Sequence, residues 1–111
     1  MIGFKKFDMG KLRWNLLPTE ALEEVVKVLQ FGADKYGDNS WREGFDIKWS
    51  RYINALERHL AAWKKGENND PESTLPHLAH AVINGIFLMH YQMENIGVDD
   101  RDARIGQKFG K

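Results

Sequence analysis

Between Pro18 and Tyr36, apolar residues recur at Leu22, Val25, Val26, Leu29, Ala33 and Tyr36, the i, i+3, i+4 spacing of an amphipathic helix. Pro18 suits the first turn, where its missing N–H is not needed, and Gly37 stands where helices commonly end. A second run places Trp49, Ile53, Leu56, Leu60 and Trp63 on one face, with Ser50 as the expected N-cap and Gly66 closing a helix that reaches about Lys65. A third run extends from Ser73 or Leu75 to Asn95, ended by Gly97; Pro76 fits it only within the first turn. Residues 37–48 are turn-rich and read as an ordered loop, and Glu67 to Ser73 forms a polar connection. Residues 1–17 read as an irregular arm, and 98–111 as a charged tail with little structure of its own. With no repeat, strand pair or domain boundary, the pattern predicts a single all-α domain over 1–111. Its expected form is a small antiparallel bundle of three main helices with two long loops, and long loops in compact domains are often functional.

The polar positions within the third run complicate that picture. Its apolar side chains (Leu78, Ala79, Ala81, Val82, Ile83, Ile86, Phe87, Leu88 and Met89) cover almost the whole circumference, as in a helix surrounded by other elements. Yet His77, His80, Asn84 and Tyr91 fall within about 60° of one another, and buried polar groups require partners. The stripe is either a structural hydrogen-bond network or the wall of a ligand site. His59 lies inside the arc defined by Tyr52, Leu56 and Trp63 on the second helix and is expected to point inward, with Arg51, Asn54 and Arg58 at the margin. Taken alone, it reads as a satisfied core histidine.

On the first helix, Glu20, Glu23 and Glu24 lie where acidic residues ordinarily complement the helix dipole. Glu20 and Glu24 share a side with Phe31 and Lys35, opposite the main apolar stripe. That face is a second packing surface or a cleft wall, and clustered carboxylates suit Mg²⁺ or Mn²⁺. Lys11, Arg13 and Lys35 are candidates for phosphate oxygens. Trp41 and Phe45 are candidates for stacking on a base, although aromatics in such a loop also serve as anchors. Asp70 or Ser73 is expected to cap the third helix.

Composition narrows the function classes. The 111 residues carry 16 Lys+Arg against 16 Asp+Glu, without the basic excess of proteins that bind polymeric nucleic acid or membrane surfaces. With 42% hydrophobic and 29% charged residues, a folded chain is expected rather than a disordered one. The absence of cysteine removes disulfide scaffolds, thiol catalysis and thiolate zinc sites. No signal peptide or membrane span is expected, which implies a cytoplasmic location. A chain of this size buries a modest core, so self-association into a dimer or tetramer is expected.

Several strings carry a resemblance. Gly10-Lys-Leu-Arg-Trp-Asn-Leu-Leu-Pro18, Phe31-Gly-Ala-Asp-Lys-Tyr-Gly-Asp38, Arg58-His-Leu-Ala-Ala-Trp63 and Asp70-Pro-Glu-Ser-Thr-Leu-Pro-His-Leu-Ala-His80 resemble blocks of the phage dATP/dGTP diphosphohydrolase N-terminal domain family. The resemblance covers about residues 8–92. That family is similar to the MazG-like all-α nucleoside triphosphate pyrophosphohydrolases, which are oligomeric. The resemblance implies a metal-dependent enzyme that splits a purine deoxynucleoside triphosphate into monophosphate and pyrophosphate, in the host cytoplasm. By the same implication, Glu20, Glu23, Glu24 and His80 would hold Mg²⁺ or Mn²⁺. Glu24, His77 and His80 would serve as acid/base groups, and Lys11, Arg13, Lys35, Trp41, Arg58, His59 and Asn84 would contact substrate. His77-x-x-His80 stands where MazG-like enzymes carry Glu-x-x-Asp. Two other classes stay open: a non-catalytic, sponge-like nucleotide-binding protein and a helical assembly module.

Overall fold

The computed structural model describes residues 10–43 and 47–101. Among the described residues there are three α-helices: α1 (Thr19–Tyr36), α2 (Trp49–Lys64) and α3 (His77–Glu94). Short 3₁₀ turns at Trp14–Leu16 and Ser40–Glu43 precede α1 and α2. The described residues contain no strand, only isolated bridges between Lys48 and Val98 and between Asn69 and Pro76. None of their helices is long and apolar enough to cross a membrane. Phe45 and most of both termini lie outside the described residues.

The helices begin and end close to where the pattern places them. Pro18 is the residue before α1 rather than part of its first turn, and its carbonyl accepts the Leu22 N–H. Gly37 closes α1 at φ 95° with its N–H on the Ala33 carbonyl. Likewise Pro76 precedes α3, and the His77 N–H is satisfied by the Asn68 carbonyl at 2.9 Å. α3 ends two residues before Gly97 is reached, because Asn95 adopts the left-handed conformation at φ 56°, ψ 46°, a role asparagine tolerates.

α3 is the central element, packing against α2 and α1. The core joins Val25 and Val28 of α1 to Ala79 and Ile83 of α3, flanked by Leu29, Leu75 and Phe87. The buried face of α1 is rotated from the expected stripe: Val28 enters the core while Val26 and Tyr36 are exposed. α3 meets neighbours on only part of its circumference, so the expectation of a helix covered all round fails within one chain. Leu78, Val82, Ile86, Met89 and Met93 are exposed and fall on one arc of about 80°.

Ser50 is not an N-cap. It lies inside the first turn of α2, and Asp100 caps the helix instead, accepting the Ser50 N–H at 2.9 Å and the Ser50 hydroxyl. Residues 98–100, expected to have little structure of their own, are thereby tied across the start of α2. Trp49 donates its backbone N–H to Val98 at 2.9 Å and its indole N–H to the Ile96 carbonyl at 2.8 Å. Gly97 is required in this crossing: at φ +84°, a Cβ there would meet the Ile47 carbonyl oxygen at 2.7 Å.

Candidate functional site

The three helices leave a cleft of about 970 Å³ between the C-terminal half of α1, the Ser40–Glu43 turn, the middle of α2 and the first half of α3. That volume is ample for a nucleotide-sized ligand. Its polar end is built by the third helix's stripe. His77 and Asn84 are buried, His80 is half-buried, and all three line the cleft. His59 faces them from α2, its Nδ1 2.9 Å from the Nδ1 of His77 and its ring stacked on that of His80 at 4.4 Å. The polar stripe and the inward histidine of α2 are therefore one constellation.

The two rings of α3 are each held by a second partner. The His77 Nε2–H donates to the Glu67 carboxylate at 2.6 Å, and the Nε2 of His80 sits 2.7 Å from the Ser73 hydroxyl. Asn84 donates its amide N–H to the His80 carbonyl one turn back, at 2.8 Å. Burial pushes His59 below the ordinary imidazole range, aided by the neighbouring His80. Burial does the same to His80, so both rings are neutral at neutral pH. Burial alone would raise the Asp70 carboxyl, but hydrogen bonds from Ser73, joined by His80 and His59 once these are protonated in acid, outweigh it and hold the carboxyl below its ordinary range. Neither Asp70 nor Ser73 caps α3, whose N-terminus has no side-chain cap; Asp70 instead closes the turn before it, accepting the Ser73 N–H at 2.9 Å. It also joins His59 and His77: among the described residues, these three form a group whose donor atoms all lie within 4.8 Å of one another and could hold a metal ion.

The opposite end is aromatic. The Trp41 ring stacks on Phe87 at 4.8 Å and meets His90 edge-on at 5.0 Å, with the Arg42 guanidinium over its face at 4.5 Å. The wholly buried Tyr91 donates its hydroxyl to the Trp41 carbonyl, and the Tyr52 hydroxyl lies 3.1 Å away. Burial and the Tyr52 hydrogen bond raise the Tyr91 phenol far above its ordinary range, so it stays a donor. Tyr91 thus belongs to the anchor of the tryptophan turn rather than to the histidine cluster, although it shares their stripe. Cationic side chains ring the cleft: Lys35, Arg42, Arg51 and Arg58, with Lys35 paired to Glu72 at 3.0 Å across to the loop before α3.

Of the residues singled out in the sequence, Lys35, Trp41, Arg58, His59, His77, His80 and Asn84 come together in this cleft. Lys11 and Arg13 are exposed on the segment before α1 and do not line it. Glu20, Glu23 and Glu24 also lie outside its lining, Glu24 pairing with Lys27 at 2.7 Å. The structure does not bring them to His80. Sequence reasoning left Glu67 unassigned and gave Asp70 only a capping role. The signal was present in the turn Asp70-Pro-Glu-Ser73 leading straight into His77, which returns Asp70 to the start of α3.

Comparison with known proteins identifies the family. The family description "dATP/dGTP diphosphohydrolase, N-terminal" matches residues 3–101. A protein of Salmonella phage PMBT28 named dATP/dGTP diphosphohydrolase is 34% identical over 95 residues, which cover 86% of this chain and 31% of the phage protein. The chain thus spans about a third of that relative's length. No solved structure matches the chain. With all of the described residues inside the matched region, the chain belongs to the dATP/dGTP diphosphohydrolase N-terminal domain family.

Proposed function

We propose that this domain binds a purine deoxynucleoside triphosphate in the three-helix cleft and hydrolyses it to the monophosphate and pyrophosphate, as part of phage nucleotide metabolism in the host cytoplasm. One observation carries this reading: a single cleft joins an aromatic wall, a ring of cations and a cluster of imidazoles, and the relative's printed name is dATP/dGTP diphosphohydrolase. Trp41 would cover the base, and Lys35, Arg51 and Arg58 would hold the phosphates, stabilising charge as it develops. His80, oriented by Ser73 and by the His59 ring, would take a proton from the attacking water. As water bonds to the α-phosphorus, the bond to the bridging oxygen breaks and pyrophosphate leaves. Asn84 would steady the His80 turn. The likeness to MazG-like enzymes implies Mg²⁺ or Mn²⁺ on Glu20, Glu23, Glu24 and His80. Within one chain those carboxylates do not converge with His80, and no step is assigned to them.

The test is to incubate the protein with each deoxynucleoside triphosphate and Mg²⁺ or Mn²⁺, then separate the products. Turnover of dATP or dGTP to monophosphate and pyrophosphate is expected, lowered about 100-fold or more in His80→Ala or Arg58→Ala. The carboxylates' position outside the cleft favours a second reading, a sponge-like protein that sequesters a nucleotide. Tight binding by calorimetry with no turnover would select it. A nucleotide series that neither turns over nor shifts thermal stability would leave the helical assembly module.

A further inference from the structure

Two imidazoles and a carboxylate converge on the cleft from three separate elements. His59 comes from the middle of α2, His77 is the first residue of α3, and Asp70 lies in the turn between them, their donor atoms all within 4.8 Å of one another. The two Nδ1 atoms are 2.9 Å apart. Nitrogens bound at about 2.1 Å to one ion, at angles of about 90–109°, lie about 3.0–3.4 Å apart, so an ion enters with shifts of a few tenths of an ångström. The other face of His77 is also prepared. Its Nε2–H donates to Glu67 at 2.6 Å, which fixes the tautomer and turns the Nδ1 lone pair toward the centre of the group. In the ion's absence His59 fills that lone pair with its own Nδ1–H. Moving that proton to Nε2 of His59 frees both nitrogens. Burial of His77 at 4% exposure keeps its ring from swinging away, and the Ser73 N–H orients the Asp70 carboxylate.

We propose that His59, Asp70 and His77 bind one divalent transition-metal ion, with Glu67 as the outer partner of His77. Two nitrogens and one oxygen suit Zn²⁺, Co²⁺ or Mn²⁺, whereas Mg²⁺ prefers an octahedron of oxygens and sheds its waters reluctantly. Three protein ligands leave at least one coordination position open toward the cleft. The proposal does not rest on the nucleotide reading, because the ion binds without nucleotide.

The test uses tag-free, chelator-stripped protein, titrated with Co²⁺ by visible absorption and with Zn²⁺ and Mg²⁺ by calorimetry, no nucleotide present. One Co²⁺ or Zn²⁺ per chain is expected, bound about 100-fold tighter than Mg²⁺. His59→Gln and Asp70→Asn, both half-buried sites, should each weaken binding about tenfold or more. Glu67→Gln should weaken it about tenfold, and Glu94→Gln, exposed at the far end of α3, should leave it unchanged. Helical circular dichroism of each variant without metal confirms the fold, and a metal-induced rise in melting temperature, lost in His59→Gln, gives a second readout. Substoichiometric binding, equal affinity for Mg²⁺, or Co²⁺ binding that survives both His59→Gln and Asp70→Asn would overturn the proposal. The turnover assay can fail with the metal titration intact, and the reverse, so the two readings fall separately.

Discussion

Tyr91 shows how much one hydroxyl can organise. It sits among the polar residues of α3, but its donor reaches the backbone of Trp41, 50 residues earlier in the chain, and so sets the position of the aromatic wall. Tyr91→Phe keeps the ring and removes the donor, leaving the Trp41 carbonyl without its partner. A loss of about 1–2 kcal/mol is expected, measured by urea unfolding, together with weaker nucleotide binding as the tryptophan turn loosens. Unchanged stability would mean that water or Tyr52 replaces the contact at no cost. The histidines illustrate the same point. On the sequence, His59 alone reads as a core residue, and only its 2.9 Å approach to His77 and its stacking on His80 make it part of a site.

Among the elements, α2 depends on a segment that the pattern assigns to a loose tail. None of its own residues caps its N-terminus; Asp100 does, with Gly97 allowing the chain to cross beneath Ile47. Hydrogen bonds from the Ser50 hydroxyl and N–H hold the Asp100 carboxyl below its ordinary value. A carboxyl whose folded pKa is depressed contributes stability above its unfolded pKa, and that contribution disappears as pH falls through the folded value. Asp100→Asn should therefore melt earlier than the parent at neutral pH, with the gap closing as pH falls below about 4. A gap that stays constant from neutral to acid pH would show that the carboxylate charge is not what caps α2.

For the molecule as a whole, the unsettled surface is the outer face of α3. Leu78, Val82, Ile86, Met89 and Met93 are too many apolar side chains on one arc for an isolated small domain, and patches of this kind mark association sites. The expected state is a homo-oligomer, dimer or tetramer, joined through this face. Light scattering after gel filtration should return a multiple of 12.9 kDa, and Val82→Glu with Met89→Glu should yield monomer. A monomeric parent would remove the proposal. This face is opposite the histidine stripe, so the substitutions should spare metal binding at His59, Asp70 and His77.

The amino-acid sequence by itself determined the three helices, their lengths to within a few residues, and the polar stripe on α3. Those are consequences of local spacing: a helix repeats every 3.6 residues whatever lies beside it. The same spacing sufficed to place His77, His80 and Asn84 together, and the string resemblance sufficed to name the family. What depended on tertiary structure was the rotation of each helix about its axis and the company each side chain keeps. A turn of one residue position, about 100°, would take His59 away from His77, and a smaller rotation brings Val28 of α1 into the core beside Val25 and Leu29 of the expected stripe while leaving Val26 exposed. Glu20, Glu23 and Glu24 look like ligands in one dimension, yet they lie outside the cleft's lining, while Asp70 and Glu67, read as cap and linker, stand beside the histidines. Contacts between residues 18 or 50 positions apart are set by how helices pack, and no periodicity along the chain encodes that.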